Sequence, residues 1–122
     1  MAKILVIDDD DLVRGMICNS LKNNGYEVIE ACNGNDGIEK SKSEKPDVIV
    51  TDILMPDKEG IETILEIKAE DSNVKIIAMS GGGSTKNMTF LDMAKKVGAN
   101  HTLSKPFKPS VLLDVIKNLL GA

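Results

Sequence analysis

What this sequence lacks narrows its function before any motif is read. No apolar run in its 122 residues approaches the ~20 that cross a bilayer as a helix. The N-terminus, MAKILVIDDD, does not show the charged, then apolar, then small-residue order of a secretory leader. The expectation is therefore a cytoplasmic protein with no membrane insertion. Basic charge is in deficit: 15 Lys and Arg stand against 19 Asp and Glu, for a formal net charge of −4. A nucleic-acid surface usually needs a positive patch, so no direct nucleic-acid partner is expected. Cysteine is scarce, and Cys18 and Cys32 have neither CxxC nor zinc-ligand spacing. Both read as small buried hydrophobes. The single histidine, His101, has no metal-ligand company, which argues against zinc.

What is present is an ordinary folded composition, 42% apolar and 28% charged, at a length that suits one core. Strand and helix signals alternate along it. KILVI (3–7) is a short continuous apolar run, as expected of a strand buried on both faces. From Leu12, apolar residues recur at Val13, Met16, Ile17 and Leu21, and NNG at 23–25 ends the helix. EVIEA (27–31) is a second strand, and the segment from Asn33 reads as a turn and a short helix. Gly37 weakens that helix by ~1 kcal/mol against alanine. DVIVTD (47–52), VKIIAMS (74–80) and HTLS (101–104) complete five strands. The helices between and after them are marked by Ile61, Ile64 and Leu65, by Met88, Leu91, Ala94 and Val97 ahead of Gly98, and by Val111 to Leu119.

The result is (βα)5 without repeat or linker, expected as one domain over 1–122 with no output domain attached. Such alternation implies a parallel sheet with helices on both faces. The flavodoxin-like strand order 2-1-3-4-5 is the economical solution, and its ligand site lies beyond the carboxyl ends of the strands.

Five side chains converge on that rim. Strand 1 delivers Asp8 and Asp9, strand 3 Asp52, strand 4 Ser80 and strand 5 Lys105. Two carboxylates ~4 Å apart repel by roughly 4 kcal/mol at an effective dielectric of 20. A hard divalent cation removes that cost, and Mg2+ is commonly held by one or two carboxylates together with phosphate oxygens. Lys105 adds a positive point charge for a phosphoryl group, Ser80 can donate a hydrogen bond to it, and Gly81 leaves the approach open. A carboxylate in such a setting can itself accept the phosphoryl group. Asp52, the lone central acid, is the expected acceptor, with Asp8 and Asp9 as the metal pair. Asp10 and Asp11 are expected only to start the first helix, where acids meet the dipole favourably.

The runs VIDDD (6–10), VTDILMPDKEG (50–60), IIAMSG (76–81) and GANHTLSKPF (98–107), in this order, resemble the receiver domain of bacterial two-component response regulators. The resemblance extends from Lys3 to Leu120 and is to stand-alone receivers of the chemotaxis-regulator kind. It implies that Asp52 takes a phosphoryl group from a phosphohistidine on a sensor histidine kinase or a histidine phosphotransfer protein. It also implies Mg2+ held by Asp8, Asp9, Asp52 and the backbone carbonyl of Leu54. Ser80 and Lys105 contact the phosphoryl group, and the bond before Pro106 is cis. The domain assists its own phosphorylation and slow dephosphorylation. The added charge then biases a two-state surface on helix 4, strand 5 and helix 5 that binds a downstream protein.

Three positions depart from the family pattern. Thr102 stands where an aromatic switch is common. SGGGSTKNMTF makes the loop after strand 4 about three residues longer than in many receivers, and its glycines at 81–83 suit a flexible connector or a lid over the phosphate. Leu54 and Gly82 flank the attack path and offer no polar side chain to steer a water. The enzyme alternative is a small phosphatase of the haloacid-dehalogenase type, because DDD (8–10) contains the D-x-D used after strand 1. Against it, Asp11 and Leu12 follow where Thr or Val is usual, and the chain is short. A flavin carrier fits the sheet but not four aspartates beside a flavin phosphate. A receiver that acts only as a scaffold without taking phosphate is the remaining alternative.

Overall fold

The computed structural model describes residues 2–53, 60–81, 92–105 and 107–121. Five strands form one parallel sheet: β1 (Lys3–Ile7), β2 (Glu27–Ala31), β3 (Val48–Asp52), β4 (Lys75–Gly81) and β5 (His101–Lys105). Their order is β2-β1-β3-β4-β5, as the alternation of signals predicts. The helices are α1 (Asp11–Asn23), α2 (Gly34–Glu44), α3 (Gly60–Glu70), α4 (described over 92–97) and α5 (Pro109–Leu119).

Strand alternation divides the aliphatic residues between two cores. Leu5, Ile7, Ile49 and Ile76 pack with Ile38 of α2 and Ile64 of α3 on one face. Ile4, Val6, Val50 and Ile77 pack with Leu21 of α1 and Leu112 of α5 on the other. This two-sided burial explains why β1, β3 and β4 read as unbroken apolar runs instead of alternating ones.

Local chemistry sets the helix ends. Asp10 is the N-cap of α1: its Oδ1 accepts from the N–H groups of Leu12 (3.0 Å) and Val13 (3.2 Å). Asp10 and Asp11 therefore begin the helix as expected, Asp10 through a directional cap and Asp11 in the first turn. Asn33 caps α2 by accepting from the N–H of Asp36 at 2.8 Å. Pro109 opens α5, where a missing N–H costs nothing. Gly98, at φ 126°, follows α4 in a conformation that side chains resist.

Two sequence expectations need correction. Cys18 is buried, with its thiol pushed up to about 11 by burial and then by Glu30. Cys32 is exposed, because it lies just past the end of the edge strand β2, in the turn before α2. Strands 3 and 4 each begin one residue later than the apolar pattern suggests, and β4 and β5 run one residue further, through Gly81 and Lys105. Ladder pairing sets those ends, and Gly81 pairs with Lys105.

Gly37 lies within α2 for a packing reason. A Cβ there would stand 2.8 Å from Ile7 Cγ1, so the glycine lets α2 sit against β1. Gly37→Ala is expected to destabilise the protein by about 1 kcal/mol, overpacking outweighing the gain in helix propensity. Ile7→Val in the same chain is expected to recover part of the loss in urea unfolding.

Candidate functional site

The carboxyl ends of β1 and β3 lie side by side at the centre of the sheet, with Ile7 paired to Thr51. The next residues along, Asp8 and Asp52, therefore open on the same edge. Ligand oxygens of Asp8, Asp9 and Asp52 all fall within 4.8 Å of one another. Asp8 is fully buried, Asp52 is nearly so, and Asp9 is exposed. Lys105, at the end of β5, reaches over this group. Its Nζ donates to Asp8 Oδ2 at 2.9 Å and to Asp52 Oδ2 at 3.1 Å.

Asp8 is anchored on every side. Its N–H donates to the Ala31 carbonyl at 3.1 Å. Its own carbonyl accepts from Arg14 Nη1 at 2.7 Å, and its Oδ1 accepts from the Asp10 N–H at 2.9 Å. Burial alone would lower the Lys105 ammonium. The hydrogen bond to Asp8 and the charges of Asp52 and Asp8 more than offset that, leaving the group above its ordinary value. Asp9 makes no ion pair among the described residues. Ser80 is fully buried one residue before the end of β4, and its hydroxyl has no hydrogen-bond partner among the described residues. A buried hydroxyl without a partner carries a desolvation cost that structures rarely leave uncompensated.

The donor set suits a hard cation. Three carboxylates offer oxygen ligands only, which suits Mg2+ better than zinc with its usual nitrogen and sulfur ligands. Leu54, the loop from Gly82 and Gly83 onward, and Pro106 lie outside the described residues. The expectations placed on them are therefore not addressed by this geometry.

The family model for the response regulator receiver domain matches residues 4–117. The chain belongs to this family. As a receiver domain it is a phosphoacceptor signalling module of two-component systems. It is 37% identical to the chemotaxis protein CheY of Thermotoga maritima over 118 residues, covering 96% of each chain. The protein of the same name from Bacillus subtilis is 37% identical over 120 residues, covering 98% of each. A receiver domain from Clostridium thermocellum superposes with a TM-score of 0.92 at 31% identity, covering 99% of this chain and 95% of that one. These similarities give the phosphatase alternative no support.

The receiver brings Asp8, Asp9, Asp52 and Lys105 together as the sequence predicts, and it sets Ser80 in the adjoining buried layer. Two further residues shape the site. Gly60 begins α3 directly against β3: its N–H donates to the Ile53 carbonyl at 2.6 Å, and a Cβ would collide with the backbone of Asp52 and Ile53. It was visible as the final G of the 50–60 motif. Arg14 was not singled out, because an arginine on an amphipathic helix reads as a solvated charge. Its spacing of three from Asp11 was the available signal.

Asp9 adds negative charge that Lys105 does not neutralise. Asp9→Asn is expected to raise the melting temperature in metal-free buffer by about 4 °C and to reduce the further rise on adding Mg2+. Lys105 gives a pH signature. Its folded value lies above the unfolded one, so its stabilisation is fully present below the ordinary lysine value of ~10.4 and is lost as pH rises through the folded value. The stability gap between wild type and Lys105→Met should stay constant from about pH 6 to 9 and close at higher pH. Thermal unfolding across that range measures it.

Proposed function

We propose that Asp52 is the phosphoryl acceptor, with Asp8 and Asp9 as the principal Mg2+ ligands and Ser80 and Lys105 as contacts of the transferred group. The observation that carries the reading is the difference among three neighbouring carboxylates. The Asp8 side chain is 0% exposed, and both its oxygens already accept hydrogen bonds within the protein. Asp9 is exposed and lies outside the reach of the ammonium. Asp52 alone combines contact with Lys105 and partial exposure, its side chain being 12% exposed.

One Asp52 oxygen attacks phosphorus in line with the bond to the donor nitrogen. The new O–P bond forms as the N–P bond breaks, and the imidazole leaves with a proton. Mg2+, when bound, neutralises the charge between the attacking carboxylate and the phosphoryl oxygens. Lys105 can follow the phosphoryl oxygens once Asp52 is esterified, since its ammonium already spans Asp8 and Asp52. The unpartnered Ser80 hydroxyl is suited to donate to another of those oxygens. Slow dephosphorylation is attack of water on the same phosphorus, returning the Asp52 carboxylate and inorganic phosphate.

The donor is a sensor histidine kinase or a histidine phosphotransfer protein, and the product binds a downstream protein. No described helix is long and apolar enough to cross a membrane.

Intact-mass measurement after incubation with acetyl phosphate and Mg2+ tests the assignment. One phosphoryl adduct is expected in wild type and none in Asp52→Ala. An adduct that persists in Asp52→Ala overturns the choice of acceptor. If acetyl phosphate gives no adduct, transfer from a phosphorylated histidine kinase is the deciding assay.

A further inference from the structure

Arg14 lies on the first turns of α1 with its side chain only 15% exposed, unusual burial for an arginine on an outer helix. Its guanidinium ties α1 to the turn after β1 and to β2. Nη1 donates to the Asp8 carbonyl at 2.7 Å, Nε to Glu30 Oε1 on β2 at 3.1 Å, and Nη2 to Asp11 Oδ1 at 2.5 Å. None of these acceptors is a carboxylate of the Asp8, Asp9 and Asp52 cluster. Arg14 therefore grips the acidic turn from behind, at the backbone of Asp8, while Lys105 meets it from the front.

A point charge cannot make this arrangement. Three acceptors met by three separate nitrogens suit the planar fork of a guanidinium, not a single ammonium nitrogen. The grip falls on the residue that carries one metal carboxylate and immediately precedes another. Fixing the Asp8 carbonyl limits rotation of the Asp8–Asp9 backbone, and with it the separation of the two carboxylates. Coulomb's law alone predicts the opposite consequence, since a cation near the site should weaken binding of a second cation.

We propose that Arg14 is a positioning residue that presets the Asp8–Asp9 turn for the divalent cation, so that its loss weakens Mg2+ binding. The proposal rests on the assignment of Asp8, Asp9 and Asp52 as the cation site. Partners that orient metal ligands typically contribute tenfold or more in affinity when tested by substitution.

Isothermal titration with Mg2+ of wild type, Arg14→Lys and Arg14→Gln tests it. Both variants are expected to bind about tenfold more weakly, with lysine failing to rescue because it keeps the charge and loses the fork. Glu30→Ala, on the exposed side of β2, is expected to weaken binding in the same direction by a smaller factor, and it guards against a folding defect in the arginine variants. The rate of phosphorylation by acetyl phosphate should return to the wild-type value at saturating Mg2+. Wild-type affinity in Arg14→Lys together with tighter binding in Arg14→Gln would mean that only charge matters and would overturn the proposal. A rate deficit that persists at saturating Mg2+ would overturn it as well. Wild-type protein that binds no Mg2+ would remove the cation site itself, and the proposal with it. Wild type that binds beside variants that bind equally well would remove only the role of Arg14.

Discussion

Like charge gathered at the edge of a buried sheet is the constraint on which the site depends. Asp8, Asp9 and Asp52 meet within a few ångströms, two of them nearly or wholly out of water. Such a group is tolerable only if cations are supplied from elsewhere in the chain or from solution. Lys105 supplies one of them, from a strand 53 residues after Asp52 and two places away in the sheet. The ion pairs form because parallel register brings the ends of β1, β3 and β5 to one edge.

The frame that holds this charge is apolar and close to both faces of the sheet. Isoleucine, valine and leucine of β1, β3 and β4 leave almost no surface exposed, so the strand ends have little freedom to separate and relieve the repulsion. Two glycines bring helices in tightly at the same edge. Gly37 seats α2 on Ile7, one residue before Asp8, and Gly60 seats α3 on the backbone of Asp52 and Ile53. Each gives up helix propensity for close approach, at positions that determine where an acid points. Function and packing are thus adjacent along the chain.

The fold was readable because its signals are local. Five apolar runs separated by helical periodicity imply a parallel sheet, and Asp8, Asp9, Asp52, Ser80 and Lys105 stand at or beside strand ends where a ligand site belongs. Signals that depend on neighbours in space were not readable in the same way. Cys18 and Cys32 look alike in sequence, yet one is covered by α1 packing and the other emerges beyond an edge strand. Gly37 looks like a weakness of α2 until Ile7 is seen beneath it. Arg14 looks like surface charge until its acceptors just past β1 and on β2 are in place.

The sequence alone determined the strand and helix alternation, the list of acids at the rim and the acidic start of α1, because each depends on residues a few positions apart. Tertiary structure decided what distinguishes one acid from another. Asp8 is fully buried and accepts hydrogen bonds at both oxygens, Asp9 is exposed, and Asp52 pairs with Lys105 with its side chain 12% exposed. Ser80 acquires its meaning in the same way, as a hydroxyl buried without a partner among the described residues, next to the end of β4. The physical reason is that burial, ion pairing and hydrogen-bond satisfaction are properties of an environment, and here that environment is assembled from strands distant in the chain.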